Sequence, residues 1–233
     1  MELTFALKET RDTIRPRPFT PGPRRSAARL TSLAAIAVIA AFNVTSAWPQ
    51  ESSQYLALED YFSVDFPGES TVRESMYKTE LGIVLPARIY TAEDDFGRYS
   101  VTVVDWREKG ELYEALLAGC QDCDGAMPND IRGAALHAAF GFLKRGSEVT
   151  YLAQNVVEGV RGVRIHLLNE DGSRTAAVSH WHEYRLYIVE ATAPSDRPPA
   201  LFVDSIGFID QEGRRIQYRE RYAPLFPKPY RAP

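Results

Sequence analysis

Two stretches of sequence joined by a short turn decide the fold: Val160–Leu168 (VRGVRIHLL) and Arg174–His182 (RTAAVSHWH). Asp171-Gly172 between them is a strong signal for a β-hairpin turn. With these two residues as the turn, apolar side chains oppose apolar side chains, and this agreement supports the register. The expected cross-strand pairs are Leu167 with Ala176, Ile165 with Val178 and Val163 with His180.

Segments on both sides of this hairpin have the alternation and composition of strands. They are Tyr61–Phe66, Val72–Lys78, Ala87–Ala92, Arg98–Trp106, Val149–Val157 and Arg185–Ala193. Helical periodicity appears in Gly110–Ala118 and in about 129–145, and a third helix is expected to start near Pro198. Because helices do not separate successive strands, we predict an α+β fold in which helices pack on an antiparallel sheet.

The predicted helix at about 129–145 has apolar residues on two sides. One side carries Ile131, Ala135, Ala138 and Phe142, and the other carries Leu136, Phe140 and Leu143. A helix buries each apolar stripe against a neighbour. We therefore expect this helix to be sandwiched between other parts of the protein.

The first 47 residues have the organisation of a secretory signal peptide. Residues 1–29 hold seven basic side chains, residues 30–42 are an apolar run, and small residues end at Ala47. The run is shorter than the roughly 20 residues that a membrane span needs. We predict cleavage after Ala47 and a periplasmic protein. The alternatives are an uncleaved anchor in the inner membrane and a start codon placed too early, before a shorter signal.

Charge divides the remaining chain into an acidic body and a basic tail. The 233 residues have a net charge of −4, which becomes −8 after removal of the seven basic and three acidic residues of 1–47. Residues 48–210, predicted to be a single domain, hold −12, and the Pro-rich tail 211–233 holds +4. An acidic body repels phosphate backbones, so a nucleic-acid partner is not expected.

Three short motifs resemble PsbP-like domains, a family that includes small exported bacterial proteins of unknown role. They are Phe62-Ser-Val-Asp-Phe-Pro-Gly68, Arg185-Leu-Tyr-Ile-Val189 followed by Pro194, and Phe202-Val-Asp-Ser205. The resemblance covers roughly 60–210 and implies an α/β/α sandwich. It also implies a non-catalytic binding or assembly module, since the family has no universal catalytic residues to transfer.

Cys120-Gln-Asp-Cys123 contains the two cysteines of the chain. In an oxidising compartment such a pair can close a local disulfide, which is our prediction. A redox-active thiol would need a lowered pKa, but Cys120 follows a predicted helix and Asp122 adds negative charge. Free thiols, redox catalysis and a metal site are the alternatives.

His180-Trp-His182 places two imidazoles on one strand face, about 7 Å apart at ~3.4 Å per residue. They could chelate a metal if a third ligand came from a neighbouring strand. In the expected register the residue opposite His182 is Arg161, a cation, and His166 lies on the other face. We therefore predict that the two histidines form the polar rim of a core face.

Other familiar chemistry is absent from the sequence. The nucleophile-elbow, dinucleotide and phosphate-loop glycine motifs do not occur. Glu59-Asp60 and Asp94-Asp95 flank strands and are expected to be solvated turn residues. We predict neither enzymatic activity nor a cofactor.

The tail mixes cations, aromatic residues and proline, a combination suited to docking on an acidic partner or on anionic lipid. The candidate docking residues are Arg214, Arg215, Arg219, Arg221, Tyr222, Phe226 and Tyr230. The alternative is that Ile216 and Tyr218 add an edge strand and the tail wraps the body of its own chain.

These observations predict an exported, non-catalytic binding or assembly module of the bacterial envelope. The alternative is a thiol–disulfide redox protein using Cys120 and Cys123, or a metal-handling protein using His180 and His182.

Overall fold

The computed structural model describes residues 53–107, 110–119 and 125–225. Its strands are β1 (Ser53–Ala57), β2 (Phe62–Phe66), β3 (Thr71–Lys78), β4 (Val84–Asp94), β5 (Gly97–Asp105), β6 (Glu148–Val157), β7 (Val160–Leu168), β8 (Arg174–His182), β9 (Arg185–Ala193) and β10 (Gly207–Phe208). Its helices are α1 (Gly110–Ala118), α2 (Ala126–Leu143) and α3 (Ala200–Asp204). Of these helices, none is long and apolar enough to cross a membrane.

The strands form two antiparallel sheets. The larger one has seven strands in the order β3-β4-β5-β9-β8-β7-β6, and the smaller one has three in the order β1-β2-β10. All the pairings between neighbouring strands are antiparallel. The predicted α+β class with antiparallel strands is therefore confirmed.

Different elements cover the two faces of the large sheet. Helix α2 packs on β7, β8 and β9, and the Ser179 hydroxyl donates a hydrogen bond of 2.7 Å to the Ala135 carbonyl. The opposite face carries the small sheet and α3, where Phe62 meets Tyr90 with ring centroids 5.0 Å apart. We call these the helix face and the small-sheet face.

The hairpin of β7 and β8 forms where the sequence predicts it, but its register was predicted wrongly by one residue. Ile165 is opposite Ala177, not Val178, and Val163 is opposite Ser179. Since a one-residue shift exchanges the faces of a strand, His166 lies on the same face as His180, contrary to the prediction.

The register differs because the loop contains three residues instead of two. Asn169 and Ser173 close it with a backbone hydrogen bond of 2.9 Å. Gly172 takes the third loop position in the left-handed region, with φ of +82°. Asp171-Gly172 lies in both the two-residue and the three-residue loop, so this dipeptide did not fix the register.

Strands β1 and β10 were not predicted, and both belong to the small sheet. Helix α2 begins at Ala126, before the predicted start near Asn129, and its N-cap is Gly125 without a side-chain hydrogen bond. Gly146, shortly after the end of α2, has a left-handed φ of +82°.

Asp60, in the turn between β1 and β2, is buried with its charge neutralised by the large sheet. Its carboxylate accepts hydrogen bonds from the Arg88 guanidinium at 2.5 Å and the Tyr90 hydroxyl at 2.6 Å, both from β4. The Nε of buried Arg185, from β9, lies 3.9 Å from the same carboxylate. The expectation of a solvated turn was therefore wrong for Asp60.

The same turn makes further contacts through its backbone and its neighbours. The Tyr187 hydroxyl donates a 2.8 Å hydrogen bond to the Asp60 carbonyl, and the Arg185 guanidinium lies 4.5 Å from the centroid of the Tyr61 ring. Tyr61 has a φ of +56°, a left-handed conformation that is costly for a bulky residue. The contacts with the large sheet hold the turn in this conformation.

Asp60→Asn should destabilise the protein strongly, by roughly 3–5 kcal/mol, because it removes the negative charge that faces the buried Arg185 and the partly buried Arg88. Glu59→Gln is the matched control: Glu59 also pairs with Arg88, but its side chain is 79% exposed, so we expect a change within about 0.5 kcal/mol. Urea unfolding of the two variants measures the difference. Equal losses would show that burial of the Asp60 charge does not matter.

Candidate binding surface

Helix α2 leaves the edge of the large sheet uncovered on the helix face. It packs chiefly above β7, β8 and β9, while β6 lies beyond it as an edge strand. Val149, Leu152 and Val156 of β6 are opposite Leu167, Ile165 and Arg161 of β7 and share their face. These three apolar side chains therefore point to the side on which α2 lies.

Five large apolar side chains border this uncovered area. They are Leu136 and Phe140 of α2 with Val149, Leu152 and Val156 of β6, and each is between 40% and 50% exposed. Single exposed apolar residues are ordinary on a protein surface, whereas large exposed apolar patches are typical of interaction sites.

A groove of about 530 Å³ runs between α2 and β6. The strands line it with Leu152, Ala153, Gln154, Arg161, Gly162, Val163 and Trp181, the helix with Arg132, Ala135 and Leu136, and the chain after β10 with Ala223 and Pro224. Its lining is mainly apolar, and its two charged residues, Arg132 and Arg161, are both basic and exposed. We refer to it below as the α2–β6 groove.

The two edge strands of the large sheet differ in charge. Strand β3 carries Arg73, Glu74 and Lys78, the kind of charged residues that keep an edge from pairing with another chain. Strand β6 has no charged residue from Val149 to Val157. The apolar surface is therefore concentrated at one edge of the sheet.

The apolar residues on two sides of α2 were the sequence feature that indicated this surface. The inner side is buried as expected, with Ile131, Ala138 and Phe142 in the core. On the outer side Leu136 and Phe140 are exposed. Within the described part of the chain, the predicted sandwiching of this helix was therefore wrong.

His180 and His182 lie in the core between the large sheet and the small sheet, not on a polar rim. Both are buried, and both rings contact Phe208 of β10. His180 Nε2 lies 3.2 Å from the Asn155 amide nitrogen, and His182 Nε2 lies 2.8 Å from the Tyr218 hydroxyl. The polar-rim prediction was wrong because residues after β10 cover this end of the sheet.

Close packing around His180 depends on Gly162, its partner on β7. A Cβ at Gly162 would lie 2.2 Å from the Ser179 carbonyl oxygen and 2.5 Å from His180 Nδ1. Arg161 is opposite Val156 of β6, not opposite His182 as the predicted register had it. Among the described residues, no group of three His, Cys, Asp or Glu side chains could hold a metal ion.

The first part of the basic tail packs against its own chain. The backbone amides of Tyr218 and Tyr222 donate hydrogen bonds of 3.0 and 2.9 Å to the carbonyls of Glu158 and Gly159. Ile216, Tyr218 and Tyr222 are all buried. Instead of a continuous edge strand, this part forms isolated bridges, one of which pairs Val160 with Tyr222.

The cations of the tail fall into two groups. Arg215 pairs with Glu158 at 2.5 Å, and Arg214 pairs with Asp210 and Glu212 at 2.9 and 3.0 Å. Arg219 and Arg221 are exposed. Phe226 and Tyr230 lie outside the described residues, as do Cys120, Cys123 and the predicted signal segment, so those predictions stay predictions.

No protein-family model matches the chain, and no curated protein matches its sequence.

The burial of His180 predicts a specific pH dependence of stability. Burial lowers the pKa of His180 from 6.5 to about 4. Between these two values the unfolded chain binds a proton that the folded protein does not bind. Stability should therefore fall as the pH falls from about 6.5 to about 4, by up to roughly 3 kcal/mol from this group.

Urea unfolding at pH 7.0 and pH 4.5 tests this dependence. His180→Gln should reduce the loss between the two pH values. An undiminished loss in His180→Gln would assign the acid sensitivity to other groups.

Proposed function

We propose that this chain is an exported, non-catalytic binding or assembly module of the bacterial cell envelope. The observation that carries the proposal is the α2–β6 groove, an exposed and mainly apolar surface along β6, which carries no charge from Val149 to Val157. Partner binding would remove this apolar area from water, at roughly 25 cal/mol per Å². The binding surface assigned here is thus the groove, with the exposed Arg219 and Arg221 of the tail as a second contact.

The same proposal includes the PsbP-like α/β/α sandwich. It is supported by the placement of helices on both faces of the large sheet, with α2 on one and α3 on the other. Phe202 of α3 contacts Phe66, from the first motif of the resemblance, with ring centroids 5.1 Å apart. Two of the motifs that suggested the family therefore meet in space.

A non-catalytic role agrees with the arrangement of the buried polar residues. Asp60 is bound by Arg88 and Tyr90, and His182 lies against Tyr218. Catalytic acids and bases must reach a substrate. Here these side chains hold structural elements together.

Photo-crosslinking in cells that naturally produce the protein tests the proposal. A photoreactive phenylalanine analogue replaces Leu136 or Leu152 in the full-length chain, and the control carries it at Met76, which is 63% exposed on β3 at the opposite edge. We expect a discrete adduct heavier than the chain from the two groove positions and none from Met76. Adding Leu152→Glu should reduce the adduct from position 136 roughly tenfold, because a charge enters the apolar contact.

Two results would contradict the proposal. One is the absence of any adduct from positions 136 and 152, and the other is the same set of adducts from position 76, which would indicate random contacts.

A further inference from the structure

Resting on the proposed function, we infer that the α2–β6 groove binds an amphipathic helix of another protein, with an apolar stripe flanked by acidic side chains.

The spacing of the elements leaves room for a helix beside α2. Helix α2 contacts β7, β8 and β9, so its axis lies near β8. Packed helices are 8–10 Å apart, and strands are about 4.8 Å apart. A helix packed beside α2 on the side of the groove would therefore lie above the second strand from β8, which is β6.

The exposed residues fit a helix better than an added strand. A helix above β6 would cover Leu152 and Val149 below it and, at its side, Leu136 and Phe140, which are one helical turn apart. A strand paired with the free edge of β6 would lie in the plane of the sheet, another 4.8 Å farther from α2. Such a strand would leave Leu136 and Phe140 exposed.

The charge of the groove selects an acidic partner. Arg132 and Arg161 are its two charged residues, although residues 48–210 together carry −12. Carboxylates beside the apolar stripe could pair with the exposed guanidinium group of Arg161. The acidic body as a whole would attract a basic helix, so a preference for an acidic one must come from the groove itself.

Other parts of the same chain fit the groove less well. Residues 226–233 contain three prolines, which prevent a helix, and their cations Lys228 and Arg231 would approach Arg132 and Arg161. Residues 30–42 are apolar but carry no acidic group. The α2 of a second copy would bring its own Arg132 towards Arg161.

Designed peptides test the inference on the full-length protein. Three fluorescein-labelled 15-residue peptides share leucines at helical i, i+3, i+4 and i+7 spacing. The first has glutamates beside the leucine stripe, the second has lysines there, and the third is the glutamate peptide with a proline at its centre. Fluorescence anisotropy at 0.15 M salt measures their affinities.

We expect the glutamate peptide to bind at least tenfold more tightly than the lysine peptide and the proline peptide. Arg161→Glu should abolish or reverse the preference for glutamate. Arg73→Glu is the matched control, because Arg73 is an exposed arginine of β3 at the opposite edge of the large sheet, and it should leave the preference unchanged.

Several results would overturn the inference. Equal or tighter binding of the lysine peptide would show that the arginines do not select an acidic partner. Equal binding of the proline peptide would show that the occupant is extended, not helical. Failure of all three peptides, with the cellular adducts from positions 136 and 152 intact, rejects the acidic helix but retains the proposed function. Adducts of twice the chain mass would identify the occupant as a second copy. Crosslinks that map to residues 30–42 would identify it as a segment of the same chain.

Discussion

The arrangement of the two sheets depends on the burial of one carboxylate, that of Asp60. A buried charge is tolerated only when opposite charges and hydrogen-bond donors surround it. Here they come from β4 and β9 of the large sheet, through Arg88, Tyr90 and Arg185. The turn between β1 and β2 must lie where these side chains converge, and this requirement places the small sheet on that face.

Placing the small sheet on one face leaves the other face to α1 and α2. Seven strands at about 4.8 Å span roughly 29 Å, which is the width of about three packed helices. Helix α2 lies near the middle of one half of that width, above β8. Among the described residues, few helices share this wide sheet, so the surface above β6 and the outer side chains Leu136 and Phe140 of α2 remain exposed.

The elements that depend on local sequence were predictable, and those that depend on distant partners were not. The hairpin of β7 and β8 and the helix α1 follow from residues close together in the chain. The register of this hairpin could not be predicted in the same way, because Asp171-Gly172 fits both a two-residue and a three-residue loop. The burial of Asp60 involves Arg185, which is 125 positions away in the sequence, so no short motif could predict it. The two apolar sides of α2 indicated that a surface such as the groove could exist. They did not show which side of the helix would remain exposed.

The two faces of the large sheet are coupled through β6 and the residues after β10. Asn155 of β6 lies against the buried His180 ring on the small-sheet face, while Leu152 and Gln154 of the same strand line the groove on the helix face. Tyr222, whose hydroxyl accepts a 3.0 Å hydrogen bond from the Glu183 amide, directly precedes the groove residues Ala223 and Pro224. The packing around the buried His180 and the lining of the groove therefore share β6 and the segment after β10, although they lie on opposite sides of the sheet.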